Sequence, residues 1–228
     1  TKNKDKVENY KGLYPELLAG GTGYDPTIQL PSQIEGMKPK INYGFTSRGC
    51  IRKCAFCLVP EAEGAIRAVG DIYDIWDGES KKITLMDNNI LALPDHFNLI
   101  CEQLIKERIK VDFNQGLDHR LITPQIAQVM AKVSHSEYHL AFDHPSYQGS
   151  VERLIAILKT ARINRCIWYV LVGFNTTPEE DLQRLNYLRD KGQSVFVQRY
   201  EGCERNPFYQ ALAAWGGFHH LFATKTWE

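Results

Sequence analysis

The sequence predicts an α/β fold, a partial (β/α)6 TIM-like barrel with an irregular N-terminal extension. Three observations predict it. Six strand-like segments alternate with six helical ones from residue 41 onward, the pattern of a parallel sheet with right-handed crossovers. One segment, CIWYVLV at 166–172, is continuously apolar, as strands buried on both faces are. Six units also fall short of the eight that a closed barrel of roughly 250 residues contains, which leaves an open barrel or a doubly wound sheet.

The elements follow in order. INYGF (41–45) is the first strand, then a cysteine-rich loop, then a helical stretch from Val69 to Trp76. KITLM (82–86) is the second strand. Behind Pro94, Phe97, Ile100, Leu104 and Ile105 recur at helical spacing. VDF (111–113) is the third strand, and Thr123-Pro124 starts the next helix with a cap and a first-turn proline. EYHLAF (137–142) is the fourth strand. A helix over 150–162 carries Val151, Leu154, Ile155 and Leu158 on one face. CIWYVLV is the fifth strand, Thr177-Pro178-Glu179-Glu180 opens a helix, and SVFVQR (194–199) is the sixth strand. The last helix follows Asn206-Pro207. Residues 1–40 form the extension and 41–228 the main domain.

In such folds ligands bind at the carboxyl ends of the strands. Those positions here are polar. Cys50, Cys54 and Cys57 lie beyond the first strand, Asp87-Asn88-Asn89 beyond the second, and Asn114-Gln115 beyond the third. Asp143-His144 follows the fourth strand, Gly173 the fifth, and Gln198-Arg199 closes the sixth. Any one of them can be no more than the polar start of a loop.

Composition narrows the class. The 228 residues carry 27 basic and 27 acidic side chains, a formal net charge of zero. That gives no electrostatic indication of nucleic-acid binding, although a local basic rim at a pocket is compatible with it. The longest apolar run, Cys166 to Phe174, is too short to span a bilayer, and TKNKDKVENYKG contains no apolar signal segment. The expected compartment is the cytoplasm, where thiols stay reduced. The six cysteines are therefore read as ligands or buried thiols rather than three disulfides. Cys101 and Cys166 fall on apolar faces and are expected in the core, whereas Cys203 lies near the predicted mouth.

The run CIRKCAFC (50–57) places three cysteines at spacing C-x3-C-x2-C with no fourth nearby. A structural zinc site is closed by four protein ligands, usually as two short pairs, and no second pair appears. His135 and His139 are four apart but read as loop and strand. A cubane iron–sulfur cluster is normally held by cysteine thiolates. Three thiolates can hold three of its irons and leave the fourth open to a small molecule. Arg48, Arg52 and Lys53 would offset the charge.

Cys50-Ile-Arg-Lys-Cys54-Ala-Phe-Cys57 resembles the C-x3-C-x-aromatic-C motif of the radical S-adenosylmethionine enzymes, and it follows the first strand as theirs does. The resemblance covers about residues 41–210. It implies a [4Fe–4S] cluster on Cys50, Cys54 and Cys57, with the amino and carboxylate groups of S-adenosylmethionine on the open iron. It implies one-electron cleavage of the S–C5′ bond to a 5′-deoxyadenosyl radical, and a one-electron donor such as flavodoxin or ferredoxin. Phe56 matches the family's aromatic residue near the adenine. Asp87, Asn88 and Asn89 stand where a glycine-rich segment usually receives the methionine ammonium; a carboxylate and amides can accept from it. This substitution looks like the branch of cobalamin-dependent and methylthiolating members. Asn114, Gln115, Arg120 and Asp143 match the positions that reach the ribose and carboxylate, and Gly173 ends the segment that packs on adenine.

GGTGYDP at residues 20–26 resembles a group of bacterial and phage members with a reduced cobalamin-binding-like N-terminal region. Only 19 residues precede Gly20 and no D-x-H-x-x-G motif is present, so no bound cobalamin is expected. Either the chain is a piece of a longer protein or this branch lacks the domain. The substrate is unknown; His144, Gln198, Arg199 and Glu201 are the candidates to contact it. Methyl or methylthio transfer onto RNA or a small molecule is the narrower enzymatic alternative. A zinc- or cluster-holding module without catalysis is the other.

Overall fold

A computed structural model of the protein describes residues 12–13 and 40–227. The expected extension, including Gly20, Gly21 and Gly23, lies outside the described residues apart from Gly12, Leu13 and Lys40.

The first parallel sheet contains β1 (Tyr43–Gly44), β4 (Lys82–Leu85) and β5 (Lys110–Phe113), in the order β1-β4-β5. The second contains β6 (Tyr138–Ala141), β7 (Cys166–Val172) and β8 (Ser194–Arg199), in the order β6-β7-β8 and also parallel. Parallel bridges join Val111 to His135 and Leu117 to Leu140, and Leu117 N–H donates to the His139 carbonyl at 2.7 Å. The six parallel strands thus run side by side in chain order, without the reversal of a doubly wound sheet. No closed sheet forms among the described residues.

A short antiparallel pair, β2 (Ser47–Arg48) with β3 (Arg67–Ala68), brackets the cysteine loop. The periodicity did not reveal it. It shortens the expected 69–76 helix to one turn, α2 (Ile72–Ile75), because Val69 and Gly70 donate to the Thr46 carbonyl and extend the pairing instead. Asp71 then starts the turn as a capping box with Asp74. Another single turn, α1 (Val59–Ala62), follows the cysteines.

The larger helices start where their caps place them. Thr123 accepts from Ile126 N–H ahead of α4 (Pro124–Met130). Thr177 and Glu180 exchange bonds at the start of α6 (Pro178–Asp190). Asn206 caps α7 (Pro207–Gly217), which α8 (His219–Thr224) follows. α3 (Pro94–Glu107) buries Phe97, Ile100, Cys101 and Leu104, and α5 (Gln148–Thr160) buries Val151, Leu154 and Leu158. These stripes cover the strand face formed by Ile83, Leu85, Val111, Tyr138, Leu140, Trp168 and Val195, all buried. Cys101 and Cys166 lie in this core as expected, their thiols pushed up to about 12 by burial.

The opposite strand face carries Thr84, Asp112, His139 and Tyr169, only half-buried. CIWYVLV was expected to be buried on both faces. Only Val170–Val172 are consecutively buried, while Ile167 and Tyr169 turn to the open face. Tyr169 is therefore free to line a cavity, and its hydroxyl donates to the Asn114 carbonyl at 3.1 Å.

A buried ion pair locks the strand ends to α6. Asp181 accepts from Gly173 N–H at 2.9 Å and Thr176 Oγ1 at 2.7 Å, and it pairs with Arg184. Arg184 in turn donates to the carbonyls of Phe142 and Leu171. Removing one partner of such a pair leaves an uncompensated buried charge. Asp181→Ala is expected to lower the unfolding free energy by about 3–5 kcal/mol, read by urea denaturation, while Glu179→Ala on the exposed side of the helix changes it by under about 0.5 kcal/mol.

Candidate active site

The cysteine loop leaves the sheet at a narrow neck. Gly49 has φ +83° and sits against the backbone of Gly64 and Ala65; a Cβ there would stand 2.4 Å from the Ala65 carbonyl oxygen. Cys50 N–H donates to the Gly64 carbonyl across the same neck at 3.3 Å. Glu63 holds the loop from inside. Its carboxylate accepts from Arg48 Nη1, Gly49 N–H and Asn88 Nδ2, each at 2.8 Å.

Asp87 fastens the hairpin to the end of β4. One of its oxygens accepts from the backbone and hydroxyl groups of both Thr46 and Ser47. The other is buried without a hydrogen-bond partner. Burial pushes the Asp87 carboxyl up, against the pull of the Ser47 and Thr46 bonds.

Above this base lies a cavity of about 420 Å³ at the carboxyl ends of the strands. Cys50, Cys54 and Cys57 line it together. So do Phe56, Asn88, Asn89, Asn114, Gln115, Arg120 and Asp143, from four separate strand-end segments. Gln198 lines it as well. Asp87 and Gly173 do not. Asp87 sits beneath the loop, and Gly173 (φ +78°) is packed against Cys203 Sγ with its N–H on Asp181. His144 caps a 3-10 turn through Ser146, and Arg199 donates to the Glu204 carbonyl; these two and Glu201 lie outside the lining. His135 stacks on Tyr138 and His139 on Tyr169, so the two do not share a site.

Asp118 is the residue that the spacing of motifs missed. Its carboxylate accepts from Arg52 Nε at 2.8 Å and from Arg120 Nε at 2.7 Å. It also accepts from Asn89 Nδ2 at 3.5 Å. Burial raises its pKa, but the bonds from Arg120 and Arg52 outweigh that and hold it below the usual carboxylate range. Arg120 lies over the Tyr147 ring, 5.0 Å from its centre. Of the three cations expected near the cysteines, Arg52 lines the cavity; Arg48 is turned to Glu63, with the Phe45 ring beneath it, and Lys53 is exposed.

The sulfurs sit in a partly dehydrated pocket. Burial raises the Cys54 thiol against the attraction of Arg120, and raises Cys57 against a bond from the Val59 backbone. Cys50 Sγ accepts from Arg52 N–H at 3.2 Å and from Asn89 Nδ2 at 3.3 Å. Asp143 is pushed up to about 6, chiefly by burial. Among the described residues no three Cys, His, Asp or Glu side chains converge on a single metal ion. The three thiols nevertheless share one cavity, which suits a cubane, where each thiolate holds its own iron. An unpartnered buried acceptor, Asn89 Oδ1, belongs to the same lining and suits a cationic group.

No protein-family model matches the chain. Its sequence is similar to two curated tRNA-2-methylthio-N(6)-dimethylallyladenosine synthases. That of Flavobacterium psychrophilum is 27% identical, with 70% of this chain and 42% of the relative covered. That of a Hydrogenobaculum species is 23% identical, with 73% and 45% covered. The chain thus spans less than half the length of these relatives. Its fold is similar to that of the radical S-adenosylmethionine methyltransferase TsrM from Kitasatospora setae, solved with cobalamin and a [4Fe–4S] cluster bound. The TM-score is 0.58 at 13% identity, covering 69% of this chain and 34% of that one. An α/β protein with parallel sheets and a three-cysteine strand-end cavity is the class defined here. In sequence the chain is similar to these two synthases, and in fold to a radical S-adenosylmethionine enzyme.

His119, next to Asp118, is 4% exposed and bonded to Ser150 Oγ at 2.9 Å. Burial lowers its pKa to about 4, against the attraction of Asp118. The neutral ring is therefore the form the fold favours. Its contribution is complete above the ordinary value of 6.5 and is lost as pH falls toward 4, a difference on the order of 3 kcal/mol. The His119 ring is expected to titrate near pH 4 by NMR; a midpoint above 6 would contradict its burial.

Proposed function

We propose that Cys50, Cys54 and Cys57 hold a [4Fe–4S] cluster, and that the chain uses it to cleave S-adenosylmethionine reductively and act on a substrate still to be identified. The observation that carries this reading is the single cavity lined by three free cysteines and by the polar ends of the strands. When bound, the cluster supplies the electron that breaks the S–C5′ bond and yields a 5′-deoxyadenosyl radical. The chain's own residues bind, orient and exclude water.

Asn89 Oδ1 and the Asn88 amide offer acceptors to the methionine ammonium group. Arg120 has two nitrogens on Asp118 and keeps further N–H groups for the carboxylate. Asn114 and Gln115 would reach the ribose and Phe56 the adenine, as the resemblance implies; all three line the cavity. Asp143, with a pKa near 6, holds or releases a proton at the cavity wall. Asp87 and Gly173 act at one remove, by fixing the hairpin and the end of β7. Gln198, on the lining, is the substrate-side candidate that the cavity favours over His144, Arg199 and Glu201.

The chain-order parallel strands support a partial TIM-like barrel, and we keep residues 41–228 as its domain and 1–40 as an extension to it. Among the described residues no helix is long and apolar enough to cross a membrane. We place the protein in the cytoplasm, with a flavodoxin- or ferredoxin-like protein as reductant. The expectation against cobalamin draws no support from the likeness to TsrM, which was solved with it.

A second reading, methyl or methylthio transfer to RNA or a small molecule, is favoured by the names of the two curated relatives. The zero net charge gives it no electrostatic support.

The test is anaerobic reconstitution with iron and sulfide counted in the sample used for assay. With dithionite and S-adenosylmethionine, 5′-deoxyadenosine is expected. Cys54→Ala is expected to lose both the four-iron cluster and the nucleoside. A full cluster retained in Cys54→Ala, or a protein that takes up zinc and no iron, would overturn the proposal.

A further inference from the structure

Asn89 stands in an unusual place for a residue expected only to meet a small molecule. It ends the β4 segment and precedes a 3-10 turn, Ile90–Ala92, whose Ile90 and Leu91 are buried. Its own residue surface is 2% exposed. The side chain is thus held from behind by core residues. Its amide nitrogen is 3.3 Å from Cys50 Sγ and 3.5 Å from Asp118 Oδ2. Sulfur and carboxylate are both acceptors, so chemistry assigns the NH2 end, not the oxygen, to that side.

We infer that Asn89 is a positioning residue that tunes the reduction potential of the cluster through an N–H···S bond to Cys50. The inference rests on the three-cysteine reading above. Reduction adds negative charge that spreads onto the ligand sulfurs. A donor aimed at one of them stabilises the reduced cluster more than the oxidised one and raises the potential, since hydrogen bonds to the sulfurs are among the determinants of that potential. Arg52 N–H gives Cys50 a second donor, but it comes from the loop backbone, and only proline would remove it, at the cost of the Arg52–Asp118 pair as well. Asn89 is the donor supplied by a different segment, 39 residues away in sequence.

Two near-isosteric variants separate tuning from support. Asn89→Leu removes the donor and leaves the volume. Asn89→Asp removes it and adds a negative charge beside Cys50 and Asp118. The potentials, measured by dithionite titration followed by EPR on reconstituted protein, are expected in the order wild type, Leu, Asp, from highest to lowest. The step from wild type to Leu is expected to change the ratio of reduced to oxidised cluster about tenfold at a fixed potential, 59 mV for a one-electron couple. A purely structural role would lower cluster content or stability without producing this order.

Equal midpoints, or a wild type lower than Asn89→Leu, would overturn the inference while leaving the cluster assignment intact. A wild type that takes up no four-iron cluster would overturn the assignment, and the inference with it. Should neither variant load, pulsed EPR on reduced wild type labelled with 15N-asparagine decides: a hyperfine coupling from a side-chain nitrogen that disappears in Asn89→Gln supports the bond, and its absence in wild type refutes it.

Discussion

The carboxylate of Asp118 joins three pieces of chain that the sheet alone would leave as separate loops. It holds Arg52 of the cysteine loop, Arg120 beyond β5 and, more distantly, Asn89 beyond β4. Parallel strands bring their carboxyl ends to one rim, but they do not orient the side chains there. Two arginines so close together would repel if unpaired. One shared carboxylate lets both stand at the rim, and with Arg52 fixed, the loop that presents the sulfurs is fixed as well. Glu63 does the same on the other side, gathering Arg48, the neck at Gly49 and Asn88. The cavity is therefore framed by charge-assisted bonds, which are shorter and stronger than neutral ones.

This framing also sets the cost of holding free thiols. Cys54 and Cys57 lie where burial disfavours the thiolate. A bound metal would complete their deprotonation, because ligands must lose their protons to bind one. Arg120 acts in the same direction on Cys54. The pocket thus suits soft metal centres, and without one burial favours the thiol form of Cys54 and Cys57.

The wall of the fold was legible in the sequence because it is written in local signals. Alternating apolar residues mark the outer strand face, and Thr123, Thr177 and Asn206 mark helix starts through bonds spanning two or three residues. The three cysteines were legible for the same reason. What escaped has long-range causes. Asp118 meets Arg52 across 66 positions, and nothing near it in sequence announces that pairing. The hairpin of β2 and β3 is two residues long on each side, too short for periodicity to register. Asp87, Asn88 and Asn89 read as one polar run, yet they divide their work: Asp87 faces down to Thr46 and Ser47, Asn88 to Glu63, and Asn89 to Cys50. Adjacent residues on a strand end point in different directions, and composition alone does not tell which way each one turns.

The pinched neck at Gly49 has a consequence for how this loop can change over evolutionary time. The stretch between Cys50 and Gly64 enters and leaves through one crossing of backbone on backbone. Chain length inside such a closed circuit is cheap to vary, since doubling a flexible loop costs only about 0.6 kcal/mol in closure entropy. The crossing itself tolerates no side chain at Gly49. Added length between Cys57 and Glu63 is thus cheap in chain entropy, while Gly49, which carries no chemistry itself, is a position where variation is closed.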